Sequence, residues 1–120
     1  MAERKLTTGP TFEEMLHPHL IDPEIRAKAH EARTTDPLAS INLFNISWRN
    51  ITNKIQYIVL PPQLTGVDTP IAVLTSTHFP TRSHKVGATY SVLLEKELFG
   101  DVDPWKHTLI WPSTGNYGIG

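Results

Sequence analysis

The sequence predicts an α/β protein, with a helical and partly irregular arm at residues 1–54 and an α/β unit at residues 55–120. Two observations in the second part carry this prediction. Three runs rich in β-branched and aromatic residues are typical of strands, and a pattern with helical spacing lies between the last two runs. A strand, a crossover helix and a further strand pair in parallel with a right-handed connection. We therefore expect a three-layer open sheet that contains a parallel β-α-β unit.

Two helix-start signals define the predicted arm. Thr11 and Glu14 have the spacing of a capping box, in which each satisfies a backbone N–H group of the other. Asp22, followed by a proline and a glutamate, predicts a second helix that reaches about Arg33. Residues 38–54 follow neither the strand period nor the helix period, which predicts a buried loop or an irregular strand.

The α/β unit is predicted to contain three strands and one long helix. The strands are residues 55–60, 70–75 and 107–111, and the helix is residues 85–99. Gly100 is a natural residue to follow the end of that helix, because glycine adopts the left-handed conformation that closes many helices. The chain then leaves the third strand through a turn of small residues, where open α/β sheets bind ligands.

Composition argues against several classes of function. The formal net charge of −1 predicts no nucleic-acid partner and no anionic membrane surface. Cysteine is absent, which excludes disulfides and a thiol nucleophile. The six histidines show no metal-ligand spacing, so no metal site is expected. No apolar run has the length of a membrane span, and Met1 to Pro10 lack the apolar core of a secretory signal, so we expect a cytoplasmic protein.

Lys85 is predicted to lie at the start of the long helix. A lysine is nucleophilic only when its amine is partly neutral, and burial or the positive end of a helix dipole lowers the pKa of a lysine in that direction. The same helix end favours a phosphate or carboxylate nearby. The alternative interpretation is a solvated surface lysine, which is the common case for a lysine considered alone.

The turn at residues 113–116 offers two hydroxyl groups, one side-chain amide and several backbone N–H groups. Such a turn before a helix can bind an anion. An ordinary glycine-rich loop explains it equally well. The glycines at 115, 118 and 120 have the wrong order for a dinucleotide-binding fingerprint, and the turn is no P-loop.

Taken together, residues 79–85 (Phe-Pro-Thr-Arg-Ser-His-Lys) and 112–120 (Pro-Ser-Thr-Gly-Asn-Tyr-Gly-Ile-Gly) resemble the fold-type II pyridoxal-phosphate enzymes. This superfamily contains the tryptophan synthase β-subunit and cysteine synthase. In it, a loop similar to Asn-Pro-Thr-Gly-Ser-x-Lys precedes the helix with the cofactor lysine, and a loop of the Ser-Gly-Asn-Thr-Gly type follows a later strand. The resemblance covers roughly residues 70–120.

The resemblance implies pyridoxal 5'-phosphate as cofactor and an amino acid as substrate. Lys85 would be the catalytic residue, binding the cofactor covalently and moving the α-proton of the substrate. Ser83 and His84 would lie beside the cofactor, with His84 near its phosphate, and Asn116 would hydrogen-bond the phenolic oxygen of its ring. The substrate carboxylate would be held by the turn, whose residues are Ser113, Thr114, Gly115, Asn116 and Tyr117.

The implied reaction is β-elimination or β-replacement, as in a lyase or transferase. Two positions depart from the family pattern: Arg82 replaces a usual glycine, and Tyr117 stands where threonine is common. The family's phosphate loop and its partner for the pyridine nitrogen lie further along the chain than residue 120. We therefore expect the remainder of the enzyme in the same or a separate chain, and a homo-oligomer. The alternative is a non-catalytic α/β interaction domain or a degenerate paralogue.

Overall fold

A computed structural model describes residues 9–120, so the first eight residues of the predicted arm lie outside the described residues. The described chain forms a series of short helices, a β-hairpin, one long helix and a final helical turn. The α-helices are α1 (Phe12–Leu16), α2 (Pro23–Thr35), α3 (Pro62–Thr65), α4 (Lys85–Phe99) and α5 (Asn116–Ile119); the strands are β1 (Tyr57–Leu60) and β2 (Ile71–Leu74); 3-10 helices span Pro18–Leu20 and Ser40–Asn45.

Both predicted helix starts in the arm are confirmed. At α1, the Glu14 N–H donates to Thr11 Oγ1 at 3.2 Å, and the Thr11 N–H donates to a Glu14 carboxylate oxygen at 2.7 Å. At α2, Asp22 Oδ1 accepts from the N–H groups of Glu24 and Ile25 at 2.8 and 3.3 Å. Each cap satisfies N–H groups that have no partner within the helix.

The segment without a clear period contains the 3-10 helix Ser40–Asn45, which packs against α2. Two side-chain amides hold it there. The amide of Asn42 donates to the Asp36 carbonyl at 2.8 Å, and the amide of Asn45 donates to the Ala29 carbonyl at 2.7 Å. These side-chain hydrogen bonds, rather than a repeating apolar pattern, hold the segment in place. This explains why its sequence follows neither the strand period nor the helix period.

β1 and β2 form an antiparallel hairpin in which Tyr57 lies opposite Leu74 and Leu60 lies opposite Ile71. The two predicted strands are therefore present, each slightly shorter than expected. Alternate side chains of a strand point to opposite faces, and here both faces are apolar. Both are also open to solvent; Ile58 on one face and Val59 on the other are 53% and 55% exposed.

The long helix α4 has the bounds that the sequence predicts, Lys85–Phe99. Gly100 follows it with φ of 82°, in the left-handed conformation, and its N–H donates to the Glu97 carbonyl at 3.1 Å. A residue with a side chain would be strained at this φ, which explains why glycine ends the helix here.

The core is a small apolar cluster between the arm and the start of α4. Its buried members are Ile46, Phe79 and Val86, and the side chains that pack around them are Met15, Leu43 and Tyr90. The arm is therefore attached to α4 through this cluster. The Tyr90 hydroxyl adds a hydrogen bond to the Pro10 carbonyl at 2.8 Å.

Residues 107–111, predicted as the third strand, pair with no other strand in the described part of the chain. The main contacts of α4 are with the core cluster and α5, not with a face of the hairpin. Because the crossover helix does not lie on the sheet, it does not bring residues 107–111 beside β2. The parallel β-α-β pairing is thus not formed among residues 9–120, and the three-layer open sheet stays a prediction.

The described chain is elongated. Its radius of gyration is 17.0 Å and its extents are 63 × 36 × 26 Å, whereas a compact domain of this length has a radius of gyration of about 14 Å. None of the helices within residues 9–120 combines the length and the apolar character needed to cross a membrane.

Candidate functional site

The turn that leads into α4 holds a residue with a side chain in the left-handed region. Arg82 has a φ of 59°. Hydrogen bonds fix it on both sides, since its N–H donates to the Phe79 carbonyl at 2.9 Å and its carbonyl accepts from Ser76 Oγ at 3.2 Å. For a residue with a Cβ, this conformation costs about 1–2 kcal/mol. The backbone at position 82 therefore has the geometry that favours glycine.

Ser83, one of the predicted cofactor-binding residues, is buried and forms part of the helix start. Its Oγ accepts from the Lys85 N–H at 3.3 Å, and its carbonyl accepts from the Val86 N–H at 3.3 Å. The side chain is only 6% exposed. In the structure, Ser83 therefore positions the first turn of α4.

His84 and Lys85 are both exposed at the start of α4. The His84 ring stacks on Trp48, with ring centroids 5.5 Å apart and an interplanar angle of 28°. Trp48 in turn meets Phe79 edge to face at 5.2 Å. The imidazole beside Lys85 is thus held on one side by an aromatic surface, while Lys85 itself, as the first residue of α4, reaches solvent.

The turn at the other predicted motif is organised by Ser113. Its Oγ accepts from the Gly118 N–H at 2.9 Å and from the Gly115 N–H at 3.3 Å. These contacts use the Ser113 hydroxyl oxygen within the turn itself. The side chains of Thr114 and Asn116 are exposed and remain accessible at its surface.

The two predicted motifs meet at the N-terminal end of α4, where α5 packs against it. Thr89 Oγ1 lies 3.4 Å from the Tyr117 carbonyl and 3.1 Å from the Lys85 carbonyl. A Cβ on Gly120 would lie 2.6 Å from the Val86 backbone nitrogen, closer than real Cβ atoms approach backbone. Only glycine fits at this contact, so the motifs touch backbone to backbone.

The contact between α4 and α5 brings the backbones of the two predicted motifs together, but their side chains are not connected by hydrogen bonds. Among residues 9–120, no hydrogen bond connects the side chains of residues 83–85 with those of residues 113–117. The Tyr117 ring instead faces Trp111, at a centroid distance of 6.3 Å. Lys85, at the start of α4, and Asn116, at the start of α5, both have exposed side chains.

Two residues that contact the predicted site residues, Trp48 and the buried Thr89, were not predicted from the sequence. Trp48 lies in the segment that has no clear period, so nothing indicated that it would stack on His84. Thr89 is one helical turn after Lys85, which could have placed it near that residue. Its second contact, with Tyr117, depends on how the distant turn folds back and has no local signal.

Side chains that bind metals do not gather at the start of α4 or elsewhere in the described chain. Among residues 9–120, no group of three or more histidine, cysteine, aspartate or glutamate side chains is close enough together to hold a metal ion.

Comparisons of this chain with protein-family models, with curated proteins and with solved structures gave no match. The resemblance of residues 79–85 and 112–120 to the fold-type II enzymes therefore rests on those two sequence motifs and stays a prediction.

Proposed function

We propose that this chain is part of a fold-type II pyridoxal-phosphate enzyme that acts on an amino acid by β-elimination or β-replacement, with Lys85 as its catalytic residue. The observation that carries the proposal is the contact of α5 with the start of α4. Two stretches that resemble the lysine loop and the substrate loop of one family, separated by a long helix, lie against each other at residues 85–89 and 117–120.

The conformation of Arg82 gives independent support. The family has a glycine at the matching position, and here the backbone adopts the φ of 59° that glycine favours. A backbone that favours glycine at this position is what the resemblance would lead one to expect. The arginine brings a positive charge close to Lys85, a feature that the family pattern does not contain.

The residues at the starts of α4 and α5 fit the aldehyde side of pyridoxal phosphate. Lys85 offers an exposed amine and Asn116 an exposed amide, and the side of Gly115 is open, with no atom within 4 Å of a Cβ built there. When bound, the cofactor would supply the electron sink for bond cleavage at the α-carbon of an amino acid. Lys85 would hold it covalently, and Asn116 would hydrogen-bond its phenolic oxygen.

The chain's own groups would bind and orient the substrate. Thr114 would donate its hydroxyl to the substrate carboxylate together with free backbone N–H groups of the turn. Ser113 would shape that turn, because its Oγ already accepts the Gly118 N–H. Once the amino group of the substrate had displaced Lys85 from the cofactor, the freed Lys85 amine would take the proton from the α-carbon as a general base. His84, stacked on Trp48, would stay beside it.

The remainder of the enzyme, in the same or a separate chain, would cover the hairpin of β1 and β2. Both faces of the hairpin are apolar and exposed, and continuous apolar runs of this kind are typical of strands that are buried on both faces. A three-layer open sheet completed by further strands and helices, and association of copies into an oligomer, would bury these faces. The phosphate of the cofactor would be bound in that remainder.

A spectroscopic titration tests the proposal. Pyridoxal phosphate is added to the wild-type chain, to Lys85→Ala and to Lys96→Ala, which removes another exposed lysine from the same helix. The absorbance band of lysine-bound cofactor is expected in the wild type and in Lys96→Ala, and is expected to be lost or much reduced in Lys85→Ala. Equal bands in all three proteins would contradict the assignment of Lys85.

The second candidate function is a non-catalytic interaction domain. The observation that favours it is the large exposed apolar surface of the hairpin, which any partner protein could cover. Under this alternative Lys85 is an ordinary surface lysine, so the same titration separates the two functions.

A further inference from the structure

A cavity with an unusual charge distribution lies on the arm, among residues of α2, of the turns at residues 44–51 and of the segment before α4. Its volume is about 110 Å³. Three arginines, Arg26, Arg33 and Arg49, and two histidines line it, and no aspartate or glutamate does. The residues predicted to bind the cofactor at the start of α4, Ser83, His84 and Lys85, do not line this cavity.

Backbone carbonyls hold the three guanidinium groups in place. Arg26 donates to the Asn50 carbonyl at 2.8 Å, and Arg33 donates to the His78 carbonyl at 3.1 Å. Arg49 likewise donates to a carbonyl, that of residue 53, at 3.2 Å. A guanidinium carries five N–H donors, so each arginine is oriented by one contact and keeps other donors for a ligand.

None of these three arginines forms a salt bridge with a carboxylate of residues 9–120, where the ion pair found is that of Lys106 with Asp103. All three are partly buried, and burial lowers the pKa of Arg26. Partly buried like charges without a counter-ion repel one another and are costly to desolvate. An anion in the cavity would remove that cost.

His78 is a buried residue at the wall of the same cavity. It is 8% exposed and lines the cavity, and its Nε2 lies 2.7 Å from the Ser47 carbonyl. Because a carbonyl only accepts, Nε2 carries the hydrogen. The other ring nitrogen, Nδ1, is buried and has no hydrogen-bond partner among residues 9–120. Since Nδ1 has practically no accessible surface, the ring borders the cavity through its other atoms.

The electrostatics of His78 fit this picture. Burial lowers the pKa of His78, the hydrogen bond to Ser47 opposes that shift, and the charge of Arg33 adds to it. The ring is therefore neutral at pH 7, with Nδ1 as an acceptor. The cavity thus combines three oriented cationic donors with a neutral imidazole ring.

A second cavity of about 490 Å³ shares Arg33, Gln56 and His78 with the first and includes a fourth arginine, Arg82. The smaller cavity has room for a compact anionic group, and the larger one has room for the molecule to which that group is attached. Arginine binds phosphate through paired N–H donors, so three guanidinium groups can share the oxygens of one phosphate group.

We propose that the cavity lined by Arg26, Arg33 and Arg49 binds the phosphate group of a small phosphorylated molecule, whose remaining atoms occupy the adjoining cavity beside Arg82. Neither cavity includes Lys85 or a residue of the turn at 113–117, and the inference does not rest on the proposed function. Its chemistry is the recognition of a phosphate dianion by three oriented guanidinium groups.

Calorimetric titration of the 120-residue chain with inorganic phosphate, and separately with glycerol phosphate, tests this inference. Ionic strength is held constant with sodium chloride, so that only binding stronger than that of chloride is counted. Loss of one charge-assisted hydrogen bond to phosphate is expected to weaken binding about tenfold, so Arg33→Gln and Arg49→Gln should each show that loss. Lys28→Gln is the matched control, because it removes one positive charge from an exposed position of α2 outside the cavity.

Circular dichroism of each variant checks that it is folded, and Arg49→Gln decides the question if Arg33→Gln unfolds through loss of its contact with His78. Lys85→Ala should bind inorganic phosphate as the wild type does, which separates this site from the proposed cofactor lysine. The inference is overturned if the wild-type chain binds phosphate no better than chloride, or if Lys28→Gln weakens binding as much as a folded arginine variant does.

Discussion

Replacing Ile46 by alanine tests whether the small apolar cluster holds α4, and with it Lys85, against the arm. Ile46 is 2% exposed and packs with Phe79 and Val86. The substitution removes three carbon atoms, each worth about 0.8 kcal/mol of transfer free energy, and leaves a cavity that adds to the loss. Because few other buried side chains could compensate, we expect the free energy of unfolding to fall by about 3 kcal/mol.

Urea denaturation followed by tryptophan fluorescence measures this change, since Trp48 packs against Phe79 and reports on the cluster. Ile58→Ala is the matched control: it makes the same chemical change on β1, at a side chain that is 53% exposed, and should cost less than about 1 kcal/mol. Equal losses in the two variants would refute the reasoning, because the cluster would then contribute no more than an open strand face.

Three smaller perturbations test individual contacts. Because burial lowers the pKa of His78 from 6.5, the unfolded chain takes up a proton first, so the free energy of unfolding should fall as the pH drops below about 6.5; urea denaturation across pH should show a weaker slope in His78→Gln. Tyr90→Phe removes the hydrogen bond to the Pro10 carbonyl and should cost about 1 kcal/mol by the same assay. Arg82→Gly should be more stable to urea than Arg82→Ala by about 1 kcal/mol, since glycine tolerates the left-handed φ.

Each of these expectations has a contrary outcome. The control is His19→Gln, which replaces an exposed histidine. If the free energy of unfolding depends on pH in His78→Gln as it does in this control, a group other than His78 is responsible for the dependence. A Tyr90→Phe variant as stable as the wild type would mean that its hydroxyl does not hold the arm. An Arg82→Ala variant as stable as Arg82→Gly would show that the turn relaxes out of the left-handed region.

Local signals made part of the fold predictable. The caps at Thr11 and Asp22 and the glycine after α4 are chosen by the hydrogen-bonding needs of helix ends, which depend on residues a few positions apart. These elements appear where the sequence indicates them. The 3-10 helix Ser40–Asn45 was not predictable in the same way, because it is fixed by side-chain amides bonding to carbonyls elsewhere in the arm.

Non-local contacts account for what the sequence could not predict. Residues 107–111 have the composition of a strand, but a strand also needs an aligned neighbour, and α4 does not lie on the hairpin. At the candidate site, residue type and local context were enough to single out Lys85 and the turn at Ser113 as candidate binding residues. The stacking of His84 on Trp48 and the gathering of three arginines around one cavity depend on tertiary packing and have no sequence motif.

The most direct test of the central claim is to find which lysine takes the cofactor. The chain has six lysines, so five of them serve as internal controls. The chain is mixed with less than one equivalent of pyridoxal phosphate, reduced with borohydride to fix the cofactor on its lysine, digested and mapped by mass spectrometry. The account predicts that Lys85 carries most of the label. Label spread evenly over the exposed lysines, or concentrated on a lysine other than Lys85, would contradict it.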